Sequence, residues 1–223
     1  MRTILIIAAA LFIAFTGCVT MPDPVPDPYL ADKSAEDAKT IDKLTGDIIA
    51  KNHEIKGMRN KVKETDHALE VEKGRLSILQ EERKLLFEKK KQFVLENDQA
   101  RIDENKKMIF DKDNEIDSQN ARVEYTATLL EHTAFRNEVL ESELAVLIAQ
   151  LNFEKARIAK AYLLKREEAS GEDGKKQKKG EALTYDEKYL KYLDKQRESL
   201  ASQKNDLEKL AVKLKMAEEK LKK

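Results

Sequence analysis

Apolar residues recur at every seventh position over most of this 223-residue chain. The first run continues without a break through Ile41, Ile48, Ile55, Val62, Leu69 and Leu76. A second run with the same spacing comprises Leu95, Ile102, Ile109, Ile116, Val123 and Leu130, and it continues in phase at Leu144, Leu151 and Ile158. A seven-residue apolar repeat is typical of helices that pack side by side as a coiled coil. The repeat therefore predicts long α-helices.

The composition agrees with that prediction. Charged residues make up 38% of the chain, with 42 basic and 42 acidic side chains, while aromatic residues make up only 6%. Long solvated helices carry many charges on their outer faces, whereas an enzyme with a single core has a larger apolar fraction. A formal net charge of zero gives no indication of nucleic-acid binding. We therefore expect neither an enzyme nor a nucleic-acid-binding protein.

The two heptad runs change register between Phe93 and Leu95. Two residues rotate a helical stripe by about 200°, so one continuous helix would place the second run on the opposite side from the first. A reversal within residues 97–101, which begin with a turn-favouring Asn-Asp pair, would instead set Ile55 opposite Leu144. The sequence favours this hairpin. The alternative is one continuous long helix followed by a C-terminal helix.

A third heptad run predicts a C-terminal helix over residues 185–223, with its repeat at Leu193, Leu200, Leu207, Leu214 and Leu221. The connection at residues 168–184 contains three glycines and no apolar repeat, which is typical of an exposed loop. We expect the C-terminal helix to pack on residues 139–164, with Leu193 opposite Ile158. The predicted fold is all-α: an elongated antiparallel coiled coil over residues 34–167, with a three-helix bundle at one end and a two-helix stalk.

The first 18 residues have the pattern of an export signal. Arg2 provides a positive start, and an uncharged apolar stretch then runs from residue 4 to residue 15. That stretch is too short to span a bilayer, so we expect residues 1–17 to be cleaved off. The segment Phe15-Thr16-Gly17-Cys18 resembles the lipobox of bacterial lipoprotein precursors, in which an apolar and two small residues precede a cysteine. Phe15 departs from the leucine that is usual in that family.

The resemblance implies a thioether-linked diacylglycerol and an N-acyl chain such as palmitate on Cys18, the only cysteine. Several acyl chains give stable anchoring, so a membrane is the expected partner through Cys18. Val19 in the next position implies the outer membrane, by the sorting rule of enteric lipoproteins. Residues 18–33 alternate proline with other residues, which predicts an extended spacer that holds the body off the membrane.

Few residues suggest catalysis or metal binding. Of the three histidines, His53 and His67 would be about 21 Å apart on one helix and could not share a metal, and His132 is predicted to face His67 in the hairpin without further clear ligands. The sequence beyond residue 18 contains no nucleophile–histidine–acid set, glycine-rich phosphate loop or paired-cysteine motif. We expect no cofactor, no metal site and no catalytic residues.

The lysine run in the predicted loop is a candidate anion-binding site, for phosphate headgroups or lipid A, formed by Lys175, Lys176, Lys178 and Lys179. The alternative is a solvated connection between helices, because acidic residues lie nearby. Three tyrosines that follow are candidates for a protein contact, although the second also fits the heptad seam: Tyr185, Tyr189 and Tyr192.

Residues 38–48 (AKTIDKLTGDI) resemble the opening heptad of the murein lipoprotein, and the chain ends in Lys222-Lys223, as that family ends in the lysine joined to peptidoglycan. This resemblance implies a peptidoglycan tether as one alternative function. A surface-exposed adhesin or host-interaction lipoprotein is another. The favoured function is a structural spacer or scaffold in the bacterial cell envelope, with an envelope protein and a second copy of the chain as further expected partners.

Overall fold

The computed structural model describes residues 20–31, 33–169 and 182–222. A short 3₁₀ helix at Asp27–Leu30 precedes three long α-helices, which are α1 (Ala35–Leu95), α2 (Gln99–Ala169) and α3 (Glu187–Leu221). The helices pack antiparallel, and the described residues contain no strand. The predicted all-α fold of antiparallel helices is confirmed. The predicted lipidation site and lysine run, Cys18 and residues 175–179, lie outside the described residues.

Helix α1 begins with a reciprocal cap. The backbone N–H of Asp37 donates to Ser34 Oγ at 3.1 Å, while the Asp37 carboxylate accepts from the Ser34 hydroxyl at 2.7 Å and from its backbone N–H at 3.3 Å. This arrangement gives partners to N–H groups that a helix start leaves unpaired. The Ser34 hydroxyl hydrogen bond is the main cause that lowers the pKa of Asp37, with Arg157 assisting.

The turn between α1 and α2 lies where the sequence predicts it. Asn97 has a φ of 57°, in the left-handed region that ends many helices. The N–H of Asp98 donates to the carbonyl of Phe93 at 3.1 Å, and the N–H of Asn97 donates to that of Val94 at 3.2 Å. The Asp98 carboxylate then caps α2 by accepting from the N–H of Arg101 at 3.1 Å. The hairpin is thus confirmed, and the alternative of one continuous helix is wrong.

The chain forms two compact units. Unit 1 comprises Met1–Ile48 and Ala145–Ser199, of which the structure describes residues 20–31, 33–48, 145–169 and 182–199. Its core contains Val25, Ala156, Ala159 and Tyr189, with Tyr29, Leu30, Phe153 and Tyr185 packed against them. Residues 18–33 are predicted to form an extended Pro-rich spacer, and within the described part of that segment Val25, Tyr29 and Leu30 pack in this core.

Unit 2 comprises Ile49–Leu144 and Leu200–Lys223. Its apolar cluster joins Ile55, Met58 and Leu140 with Leu144 beside them, which agrees with the predicted pairing of Ile55 and Leu144. Helix α3 ends beside Ser118 and Ala121 of α2, because Leu221 lines a surface cleft with them. Within the described part of unit 2, the hairpin beyond this point consists of α1 and α2 alone.

The register of α3 differs from the predicted one. The prediction places residues 138 and 131 of α2 opposite Lys213 and Lys220, whereas these lysines pair with Glu131 at 2.6 Å and Glu124 at 2.5 Å. Lys204 pairs with Glu143 at 2.7 Å, where the prediction places residue 147. These ion pairs therefore join residues four to seven positions away from the predicted partners. Shifts of half a heptad or a whole heptad keep apolar residues facing one another, so the repeat alone does not distinguish them.

The seam of the hairpin becomes polar toward its turn. The Gln119 amide donates to the Glu72 carbonyl at 2.9 Å and to its carboxylate at 2.6 Å. Lys112 pairs with Glu82 at 2.9 Å, while the Asn105 amide is fully buried and has no hydrogen-bond partner. Buried polar groups thus lie in this part of the seam beside apolar residues such as Ile109, which is also buried.

Candidate functional site

Residues 23–30, which we call the N-terminal segment, pack against α2 and α3 within unit 1 through Val25. Pro26 has an extended backbone, with φ −62° and ψ 136°, and proline favours an extended conformation in the residue before it. In an extended chain alternate side chains point to opposite sides, so one of them can enter the bundle while its neighbours stay outside. Val25 is the buried one, and it packs in a cluster with Ala156, Ala159 and Tyr189. The small alanines leave room for this close approach.

A buried hydroxyl secures the same segment. Tyr189 is among the most completely buried residues of the chain, and its hydroxyl donates to the backbone carbonyl of Asp23 at 2.7 Å. A buried tyrosine hydroxyl needs a partner, because leaving it unpaired costs the free energy of its lost hydration. The backbone of the N-terminal segment supplies that partner. The sequence prediction of Tyr189 as a surface contact is therefore wrong, whereas its fit to the seam is confirmed.

Four tyrosines surround this docking point. The rings of Tyr29 and Tyr162 stack at 5.9 Å, Tyr185 meets the edge of Tyr29 at 6.3 Å, and Tyr185 lies 6.0 Å from Tyr189. Offset and edge-to-face pairs of this kind stabilise a contact beyond the area that they bury. Burial, with a hydrogen bond to Tyr189, raises the pKa of the Tyr185 hydroxyl well above its ordinary value. The Tyr185 hydroxyl therefore stays protonated within the ring cluster.

Two ion pairs brace the helices around the tyrosines. Arg157 of α2 pairs with Asp37 of α1 at 2.8 Å, and Lys160 of α2 pairs with Asp186 at 2.9 Å. Asp186 also caps the start of α3, because its carbonyl accepts from the N–H groups of Tyr189 and Leu190. The first pair thus joins α2 to α1, and the second joins α2 to the start of α3.

The predicted site residues lie outside the part of the chain that the structure describes. Cys18 lies five residues before Asp23 in the sequence, and the candidate anion site at Lys175, Lys176, Lys178 and Lys179 also lies outside the described residues. Among the described residues, no group of three or more His, Cys, Asp or Glu side chains could hold a metal ion. Partial burial, with the charge of Arg136, lowers the pKa of His132.

Sequence reasoning missed the docking of Val25 and Tyr29. The signal that could have revealed it is the apolar pair Tyr29-Leu30 shortly before the Ser34 cap, together with Val25 as the lone aliphatic side chain between prolines. An apolar residue just ahead of a helix cap often packs back on the helix that follows.

No protein-family model matches this chain, and neither a curated protein nor a solved structure matches it. Within the part of the chain that the structure describes, no helix has an apolar stretch long enough to cross a membrane.

Proposed function

We propose that this chain is a lipid-anchored helical protein of the bacterial cell envelope, held to the membrane through Cys18, that acts as a structural spacer or scaffold. The proposal joins two features. The first is the lipobox-like segment that ends at Cys18, and the second is the docked segment that follows it.

The observation that carries the proposal is the packing of residues 23–30 against α2 and α3 within unit 1. Asp23 lies five positions after Cys18, and an extended chain of that length reaches at most about 18 Å. Acyl chains on Cys18 would therefore hold Tyr189 and Val25 within a short distance of the lipid surface. A spacer protein needs such a fastening, because a long flexible linker would leave its position undefined.

The helices suit a spacer. A helix of 61 residues, such as α1, is about 92 Å long. Charged residues of both signs lie on its outer faces, where Lys84 pairs with Glu81 at 3.8 Å. Such pairs each contribute little to stability but keep a long surface solvated. Helix α1 thus combines length with a soluble exterior.

The test removes the lipidation site Cys18 and the packing residue Tyr189 in separate variants. Cys18→Ala should abolish incorporation of labelled fatty acid and move the protein out of the membrane fraction. Tyr189→Ala should keep both the label and the membrane fractionation, because it alters only the docking of the segment after the anchor. Membrane association of Cys18→Ala with its leader removed would contradict the proposal.

Orientation in the envelope needs a second measurement. Protease added to intact cells should leave a spacer on the inner side of the outer membrane uncut, and should cut it after the outer membrane is permeabilised. Digestion in intact cells would instead support the surface-exposed adhesin.

A further inference from the structure

Unit 2 carries a row of large apolar residues on its exterior. Val71, Ile78 and Leu85 of α1 are 41%, 61% and 56% exposed, and they are spaced by seven residues. Each lies two residues after a seam position, at Leu69, Leu76 and Arg83, so the row lies outside the seam that α1 forms with α2. Single exposed apolar residues are ordinary on protein surfaces, but a heptad-spaced row is the seam of a coiled coil. We call this row the outer stripe.

The surface around the outer stripe is shaped to receive a helix. Leu85 shares a groove of about 430 Å³ with Leu86 and with Met108 of α2, which extends the apolar surface across both helices. Gly74 lies on the same face, and a Cβ added to it would meet no atom within 4 Å. A glycine at such a point lets the backbone of a second helix come close.

We propose that the outer stripe binds the outer stripe of a second copy of this chain, with the two α1 helices antiparallel about a two-fold axis at Ile78. In that arrangement Ile78 meets its own counterpart, and Val71 meets Leu85 of the second copy. The contact is isologous, since each copy supplies both halves of it. The proposal does not depend on lipidation of Cys18.

The charges beside the outer stripe favour a second copy of the chain as the partner, with its α1 helix antiparallel. Arg75 precedes Ile78 by three residues and Glu82 follows it by four, so both lie on the same flank of the stripe. An antiparallel pair sets Arg75 beside Glu82 of the second copy, and the two-fold axis repeats this contact. A parallel pair would set Glu82 beside Glu81 of the second copy, which is repulsive. The flank is thus complementary to itself in the antiparallel direction only.

These side chains are available for the contact. Arg75 and Glu82 have half or more of their side-chain surface exposed, and their present partners are Glu72 at 3.0 Å and Lys112 at 2.9 Å. Exposed ion pairs are weak, so exchanging one partner for another costs little.

Disulfide trapping tests the geometry. The full chain carrying Cys18→Ser and Ile78→Cys should form a covalent dimer rapidly under a mild oxidant. Val71→Cys and Leu85→Cys proteins, each in the Cys18→Ser background, should crosslink when mixed and much more slowly when alone. The matched control is Val212→Cys, an aliphatic position of α3 that is 56% exposed and lies off the outer stripe. Equal rates for Ile78→Cys and Val212→Cys would overturn the proposal, and self-crosslinking at positions 71 and 85 as fast as at 78 would overturn the antiparallel direction.

Charge reversal tests the flank independently. Arg75→Glu should weaken dimerisation of the full chain at least tenfold in sedimentation, because it sets two glutamates beside each other. Adding Glu82→Arg should restore it. Circular dichroism should show unchanged helicity, since both positions are exposed. Failure of the double variant to recover, with helicity intact, would refute the predicted pairing.

Discussion

The two units fill their seams with different kinds of side chain. In unit 1 the seam holds Ala156, Ala159, Tyr189 and Leu193, all nearly inaccessible to solvent, around a cluster of aromatic rings. In the hairpin of unit 2 the seam near the turn holds a buried Asn105 and the bonded pair Gln119 and Glu72. The same heptad spacing underlies both regions. The difference teaches that a heptad repeat determines helix packing, while the side chains at its positions decide how tightly and how specifically the helices are held.

Polar seams have a recognised use in coiled coils. A buried asparagine lowers stability but disfavours alternative registers, because sliding the helices would bury its amide among apolar groups. We infer that unit 1 contributes more stability per residue and that the hairpin near its turn contributes register. The three predictions that follow test this contrast.

The largest effect is expected in unit 1. Tyr189→Ala should lower the free energy of unfolding by about 3–5 kcal/mol, because it empties a buried aromatic site and removes the hydrogen bond to Asp23. Tyr189→Phe, which keeps the ring, should lower it by only about 1 kcal/mol. Urea unfolding measures both. Equal effects of the two variants would show that the ring itself contributes nothing.

A smaller effect of opposite sign is expected in the hairpin. Asn105→Leu should raise the free energy of unfolding by about 1–3 kcal/mol, because it removes a buried amide that has no partner. The matched variant Gln119→Leu should lower it, since the partly buried Glu72 would lose the amide that donates to its carbonyl and to its carboxylate. Thermal unfolding of the two variants checks the contrast. A loss of stability in Asn105→Leu would show that the asparagine is satisfied in solution.

The smallest effect concerns the start of α1. The pKa of Asp37 is lowered in the folded state, so its contribution to stability is present above the unfolded pKa, about 3.9, and is lost as pH falls through the folded pKa. Ser34→Ala should cost about 1 kcal/mol at neutral pH, because it removes the cap. It should cost less at a pH where Asp37 is protonated. The free energy of unfolding of both proteins is measured at pH 7 and at strongly acidic pH. An equal cost of Ser34→Ala at both pH values would show that the cap does not depend on the charge of Asp37.

The sequence predicted the helices and the hairpin well because two local signals agree. The heptad runs predict which faces are apolar, and the change of register before Asn97 coincides with residues that end helices. A short turn leaves little freedom in the pairing of α1 with α2. Ile55 and Leu144 consequently lie in one cluster, as the pattern predicts.

The register of α3 could not be predicted in the same way. A long connecting sequence separates α2 from α3, so the turn does not restrict the pairing, and a repeat looks alike after each heptad. Pairs such as Lys213 with Glu131 decide between the registers, but lysines and glutamates occur along the whole of both helices. Their sequence pattern therefore contains too little information to identify the partners.

The docked segment was missed for another physical reason. Alternating prolines favour an extended chain whether or not that chain is packed, so they do not distinguish a free spacer from a bound strap. The decisive contact is a backbone carbonyl, that of Asp23, and a carbonyl has no sequence signature.

That contact also bears on the order of folding. The Tyr189 hydroxyl and the Asp23 carbonyl are 166 residues apart in the chain, although they are 2.7 Å apart in space. Synthesis makes the N-terminal segment first and its partner on α3 near the end, so the segment has no binding site until most of the protein exists. Contacts between residues so distant in sequence form late, because they require the intervening chain to be ordered. The docking of Val25 therefore depends on α3, and a product that stops before Tyr185 would leave this segment without the Tyr189 side of its binding site.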